Sequence, residues 1–152
     1  MLKVGRSFHA AGLRMFTFNM VGLPQETLST ALDTVKLNAR LRPYDRQVTI
    51  FYPYPKTALL DVCVAQGIIG DNSLDGYGEG DTILRMNDFS PEQIRFAFTG
   101  FSRYVAAYEC AYMLPGVLAR RVERWLDRRW AAMLPPVLGR AAGPRRGHGR
   151  RG

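Results

Sequence analysis

Two short apolar runs, each broken by proline and leading into a helix, constrain the fold of this chain more than any other feature. The first spans Leu13 to Val21 and breaks at Gly22-Leu23-Pro24; the second spans Gln47 to Tyr52 and breaks at Pro53-Tyr54-Pro55. In the first run Phe16, Phe18 and Met20 fall on one face and Met15 and Val21 on the other. That pattern predicts a strand buried on both faces of a parallel sheet. Between the runs Leu28, Ala31, Leu32, Val35 and Leu41 recur at the helical period, and Arg42-Pro43 is the stop. Pro24 is placed to open that helix, predicted from Gln25 to Leu41, and Glu26 in its first turn suits the positive end of the helix dipole. Thr57 can cap a shorter helix through Gln66, closed by Gly67. Strand, helix, strand, helix with short connections predicts a parallel sheet with right-handed crossovers.

The flanking segments read differently. Met1 to Ala11 resembles the tail of a helix, with Leu2, Phe8 and Ala11 apolar, Gly12 at the turn after it, and no residue ahead to cap it. Residues 68–89 read as a loop. Within it Asp75-Gly-Tyr-Gly-Glu-Gly80 looks like a phosphate-cradling glycine loop, yet it neither follows a clear strand nor opens a helix, and its acids would repel a phosphate. Ser90-Pro-Glu-Gln93 is a capping box with proline at the first helical position, so a helix starts there and runs to about Met113. Leu118, Val122, Trp125, Leu126, Trp130 and Met133 mark one face of a further helix, with Arg120, Arg121, Arg124 and Arg128 mostly off it and Pro135-Pro136 ending it. Gly139 to Gly152, rich in Gly, Arg and Ala, is expected to be disordered.

At 152 residues and 47% hydrophobic composition the chain can bury one core. No apolar run reaches the roughly 18 residues of a transmembrane helix, and Lys3 and Arg6 interrupt any signal-peptide core, so a cytoplasmic location is expected. The formal charge of +8 is unevenly placed. Residues 1–116 balance eleven basic against eleven acidic side chains, whereas 117–152 carry ten arginines against Glu123 and Asp127. A nucleic-acid platform on the folded core is therefore disfavoured. Cys63 and Cys110 have no second ligand at metal spacing and read as buried packing residues.

In open or barrel-like α/β folds ligands bind beyond the carboxyl ends of the strands, which makes the two strand ends the candidate site. Gly22 would let a flat ligand approach the backbone, and groups left free by Pro24, Pro53 and Pro55 could read a purine edge. Taken alone, the same residues read more readily as ordinary sheet and turn residues.

The segments Asn19-Met-Val-Gly-Leu-Pro-Gln-Glu-Thr27 and Phe51-Tyr-Pro-Tyr-Pro-Lys-Thr57 resemble the fifth and sixth strand–loop units of radical S-adenosylmethionine (radical SAM) enzymes, in the subgroup that often carries a cobalamin-binding domain. The resemblance covers roughly residues 10–70. It implies that Met20, Val21 and Gly22, with Phe51, Tyr52 and Pro53, form the adenine side of an S-adenosylmethionine site. The family's glycine after Leu-Pro is Gln25 here, and its glycine after Pro-Tyr-Pro is Lys56. The family's 4Fe-4S iron–sulfur cluster needs three cysteines spaced CxxxCxxC, and this sequence has only Cys63 and Cys110. No cluster ligand, catalytic residue or metal site is thus assigned, and this chain alone is expected to do no radical chemistry. Whether cobalamin takes part is left open.

The resulting expectation is an α/β fold: the second half of a partial (β/α) TIM-like barrel, two β/α units, then a helical C-terminal extension and a disordered basic tail. The divisions are 1–70 for the barrel half, 71–89 for a linker, 90–138 for the helical extension and 139–152 for the tail. The expected partner is a missing cluster-bearing N-terminal half or a second copy, since two strands make a poor sheet. Two alternatives stand beside it. One is a non-catalytic truncated protein; the other is a basic protein binding an anionic membrane surface or RNA through residues 117–152. His9, early on a helix, and His148, in the tail, pair with no nucleophile.

Overall fold

The two predicted strands lie side by side and parallel, with Phe16 opposite Asp45 and Val21 opposite Ile50. They belong to a computed structural model that describes residues 1–69 and 82–133. Its elements run α1 (Leu2–Ala10), β1 (Phe16–Val21), α2 (Leu28–Leu41), β2 (Asp45–Ile50), α3 (Ala58–Ala65), α4 (Pro91–Tyr112) and α5 (Gly116–Ala131). The chain is thus mixed α/β, with five helices and a two-stranded parallel sheet among the described residues. The Asp75–Gly80 run and the segment from Gly139 onward lie outside the described residues.

One face of the sheet is covered, not two. Val21 is fully buried, whereas Phe16, Phe18 and Met20 are 55%, 81% and 44% exposed. The expected burial on both faces is therefore not met: among the described residues Tyr44 packs edge-on against Phe16 at 5.6 Å, and Phe18 stands open. The covered face meets α2 through a polar seam. Thr17 Oγ1 donates to Asn38 Oδ1 at 2.7 Å, and Asn38 Nδ2 donates to Asn19 Oδ1 at 2.7 Å and to the Thr34 carbonyl at 2.9 Å. Asn38 is only 2% exposed, so these bonds stand in for the water it has lost. Farther along the same face Val48 and Ile50 pack on the main core, and Arg46 reaches Glu109 of α4 at 3.0 Å.

α2 begins three residues later than the prolyl signal suggests. Thr27 is its N-cap and forms a reciprocal box with Thr30, while Pro24 belongs to the turn before it. The Ser90–Gln93 box forms as expected, and Ile94, Ala97, Phe101, Val105 and Tyr108 of α4 enter the core on one helical stripe. That stripe packs on Leu28, Ala31 and Val35 of α2 and on Trp130 of α5. Trp130 sits against Phe96 and Tyr104, with ring centroids 5.1 and 4.9 Å away, and donates from Nε1 to the Leu28 carbonyl at 2.7 Å. The three helices also share an ionic cluster: Lys36 Nζ lies 2.7 Å from Asp127 and 3.4 Å from Glu123, and Tyr108 donates to Asp127 at 2.6 Å.

Part of the segment read as a loop is structural. Arg85 N donates to the Ile68 carbonyl at 2.7 Å, and Leu84 and Phe89 are fully buried. α1 is almost wholly exposed apart from Gly5, where a Cβ would stand 2.8 Å from Leu41 Cδ2. His9 Nε2 lies 2.8 Å from the Leu41 carbonyl. A carbonyl only accepts, so Nε2 carries the proton and His9 fastens α1 to the end of α2. Cys63 is buried as expected, with its thiol pushed up by burial, but Cys110 lies exposed on α4.

Candidate functional site

The carboxyl ends of β1 and β2 are held together by the last rung of the ladder, Phe51 N to the Val21 carbonyl at 2.8 Å. Beyond it the two chains leave by similar turns. After β1, Gly22 takes a left-handed φ of +83°, and a Cβ there would stand 3.2 Å from Ile94 Cγ2 at the start of α4. Leu23-Pro24-Gln25-Glu26 then forms a turn closed by Glu26 N to the Leu23 carbonyl at 3.0 Å. Pro24 occupies its second place and Gln25, at φ +68°, its third. After β2, Tyr54-Pro55-Lys56-Thr57 repeats the arrangement, with Lys56 at φ +63° and Thr57 Oγ1 donating to the Tyr54 carbonyl at 2.7 Å. Proline second and a left-handed third residue is the type II pattern, which favours glycine at the third place. Gln25 and Lys56 occupy the two positions where the resembled family has glycine.

The first turn also folds back on itself. Glu26 Oε2 accepts from Gly22 N at 2.6 Å and from Leu23 N at 3.1 Å. Burial raises the Glu26 pKa above its ordinary value, and the two N–H groups oppose that rise. Glu26 therefore lies before the helix, tied to the strand end, and the helix-dipole role expected for it is replaced by closure of this loop.

The six predicted residues divide by accessibility. Val21 packs into the main core, Phe51 into a second cluster with Cys63 and Leu84, and Gly22 and Pro53 are buried. Met20 projects from the open face and Tyr52 is half-buried, edge-on to Tyr54 at 5.5 Å. The ladder joins Val21 to Phe51 directly and brings Gly22 beside them. Glu26, Leu23 and Ile94 were not foreseen as parts of this site. Only an acid four residues after the glycine hinted at Glu26.

The strand ends combine two accessible side chains with a closed polar turn. Met20 and Tyr52 offer apolar contact for a flat ring, while the N–H donors of Gly22 and Leu23 are already engaged by Glu26. A purine edge could use those donors only once Glu26 swings away. The described residues do not fit an iron–sulfur cluster: no group of three or more His, Cys, Asp or Glu is placed to hold a metal among them. Nor do they include a helix long and apolar enough to cross a membrane.

No protein-family profile matches the chain. An uncharacterized methyltransferase of Pyrococcus horikoshii is 26% identical over 121 residues, a stretch that makes up 80% of this chain and 24% of that protein. The chain therefore spans about a quarter of the length of the curated relative it matches.

Proposed function

We propose that this chain is the C-terminal part of a radical SAM methyltransferase barrel and contributes the adenine side of its S-adenosylmethionine site. The observation that carries this reading is the pair of prolyl turns at adjacent parallel strand ends, each with a left-handed third residue where the resembled family has glycine. A backbone that persists after its glycine is replaced points to inheritance from that fold. The methyltransferase likeness is consistent with S-adenosylmethionine as the methyl source. In this reading Met20 and Tyr52 flank the adenine ring, while Val21, Gly22, Phe51 and Pro53 fix the strand ends behind them. Cluster chemistry belongs to an N-terminal half, and cobalamin, if used, to a domain beyond it.

The open edge of β1 suits that half. Phe16, Phe18 and Met20 alternate with the residues that bond to β2, so their backbone groups face the free edge. A cavity of about 350 Å³ lies along this edge, lined by Gly5, Phe16, Phe18 and Leu41 among others. One further parallel strand there would extend the sheet toward a barrel, whose interior would cover Phe18 on the open face.

The test is a pull-down of tagged full chain with a co-expressed polypeptide carrying CxxxCxxC from the same genome, followed by S-adenosylmethionine binding to the recovered complex. Retention that is lost in Phe18→Asp, with ligand binding only by the complex, is expected. No retention of any cluster-bearing half would sink the proposal.

A further inference from the structure

The far end of the molecule carries a second surface. α4 and α5 are joined at Met113-Leu114-Pro115, and Met113, Leu114, Val117 and Leu118 are 62%, 41%, 65% and 51% exposed. Four exposed apolar side chains at one chain reversal form an apolar tip. It lies at the end of α4 away from Gly22, where Arg42 Nη2 approaches Met113 Sδ at 3.6 Å. Isolated exposed apolar residues are ordinary, but a group of them gathered on one turn points to an interaction surface.

The charge beside this tip is one-sided. Arg120, Arg121, Arg124, Arg128 and Arg129 are all exposed on α5. Arg121, Arg124 and Arg128, with Asp127 among them, line an open depression of about 510 Å³. The two acids of the same helix are shared with neighbouring helices, Asp127 with Lys36 and Tyr108 and Glu123 with Lys36 and Tyr112, which leaves the five arginines in excess. Among the described residues none of these arginines forms an ion pair. Trp125, half exposed, lies under Arg129 at 5.3 Å, an aromatic ring with a charged rim.

We infer that the α4–α5 turn and the arginine face of α5 dock this protein on an anionic lipid bilayer. Apolar side chains that enter the acyl boundary, arginines at headgroup phosphates and a tryptophan at the interface are the three parts of such a contact. Single-stranded RNA would use the arginines and Trp125 but has no use for four aliphatic side chains in water. The apolar tip therefore decides for lipid. Docking is peripheral, and α4 holds the strand ends on the far side, about 33 Å away along a helix of 22 residues.

Flotation of the full chain with vesicles tests this. Binding is expected to phosphatidylcholine vesicles containing about 30% phosphatidylserine and to be lost with phosphatidylcholine alone or at about 0.5 M salt. Val117→Ser with Leu118→Ser should weaken binding at least about tenfold without changing thermal stability, since both side chains already face water. Arg121→Gln, Arg124→Gln and Arg128→Gln together should weaken it about 100-fold. Undiminished vesicle binding by both variants would assign the contact to the basic residues beyond Pro135 and overturn the inference. So would retention on single-stranded RNA without retention on vesicles.

Discussion

Placing glycine at the third position of each prolyl turn should stabilise this protein. Gln25 and Lys56 are exposed, so replacing either removes no packing, and both hold φ values that cost a residue with a Cβ about 1–2 kcal/mol. Glycine relieves that strain but enlarges the unfolded ensemble, which costs about 0.4–1 kcal/mol. The difference lies between about 0 and 1.6 kcal/mol, centred on about 0.8 kcal/mol, for each of Gln25→Gly and Lys56→Gly. In a chain of this size that corresponds to a rise in Tm of about 2–4 °C per kcal/mol. Urea denaturation followed by the fluorescence of Trp125 and Trp130 reports it, with a higher midpoint at unchanged slope. Gln25→Ala and Lys56→Ala keep the Cβ and should gain nothing. A midpoint lowered by both glycine variants would refute the argument that these turns are strained and would remove the main support for their inheritance from a glycine-bearing fold.

Three further outcomes follow from the core. Asn38→Ala should cost about 1–3 kcal/mol by leaving Thr17 and Asn19 without their shared partner on α2, measurable in the same denaturation experiment. Trp130→Phe should cost about 2 kcal/mol, because the buried Leu28 carbonyl loses its donor; a neutral result would mean that carbonyl finds water. Stability should also fall above about pH 10. Burial opposes the Lys36 charge, but Asp127 and then Glu123 outweigh it and raise its pKa above 10.5; burial and then Asp127 raise Tyr108 above 10.0. Both contributions are complete below those ordinary values and are lost as pH rises through the folded ones. Tm measured from about pH 8 to about 11 should drop less steeply in Lys36→Met with Tyr108→Phe than in the parent chain.

What could be read from sequence was what the local chain decides. Thr57 and the Ser90–Gln93 box fixed two helix starts, and the aliphatic spacing of α2 placed its core face, because caps and periodicity act within a few residues. Pro24 misled because proline serves equally at a helix start and at the second place of a type II turn. The four-residue turn after Gly22 won, and Thr27 capped the helix. Leu84 and Phe89 escaped notice because a buried residue on irregular backbone has no period to announce it. The largest departure, the open face at Phe16 and Phe18, could not be read at all. An apolar residue records that something covers it, never whether the cover comes from the same chain. At the candidate site the strand ends and Gly22 were legible, whereas the Glu26 closure depends on a side chain folding backward, which no spacing rule predicts.

α4 also bears on how such a chain can be divided or recombined. One side of it forms the inner surface of α2 and the sheet, and the same rod seats α5. A gene split between the codons for residues 69 and 82 would yield one product with Val21, Leu28 and Val35 bare and another with Ile94, Phe101 and Tyr108 bare. Neither fragment would persist by itself, although the pair could complement. The C-terminal helices are therefore not a module that evolution could shuffle onto another scaffold. Any exchange that carries α4 must carry the matching surface of α2 with it, and a chimera that ignores this would report its mistake as insolubility before it could report anything about activity.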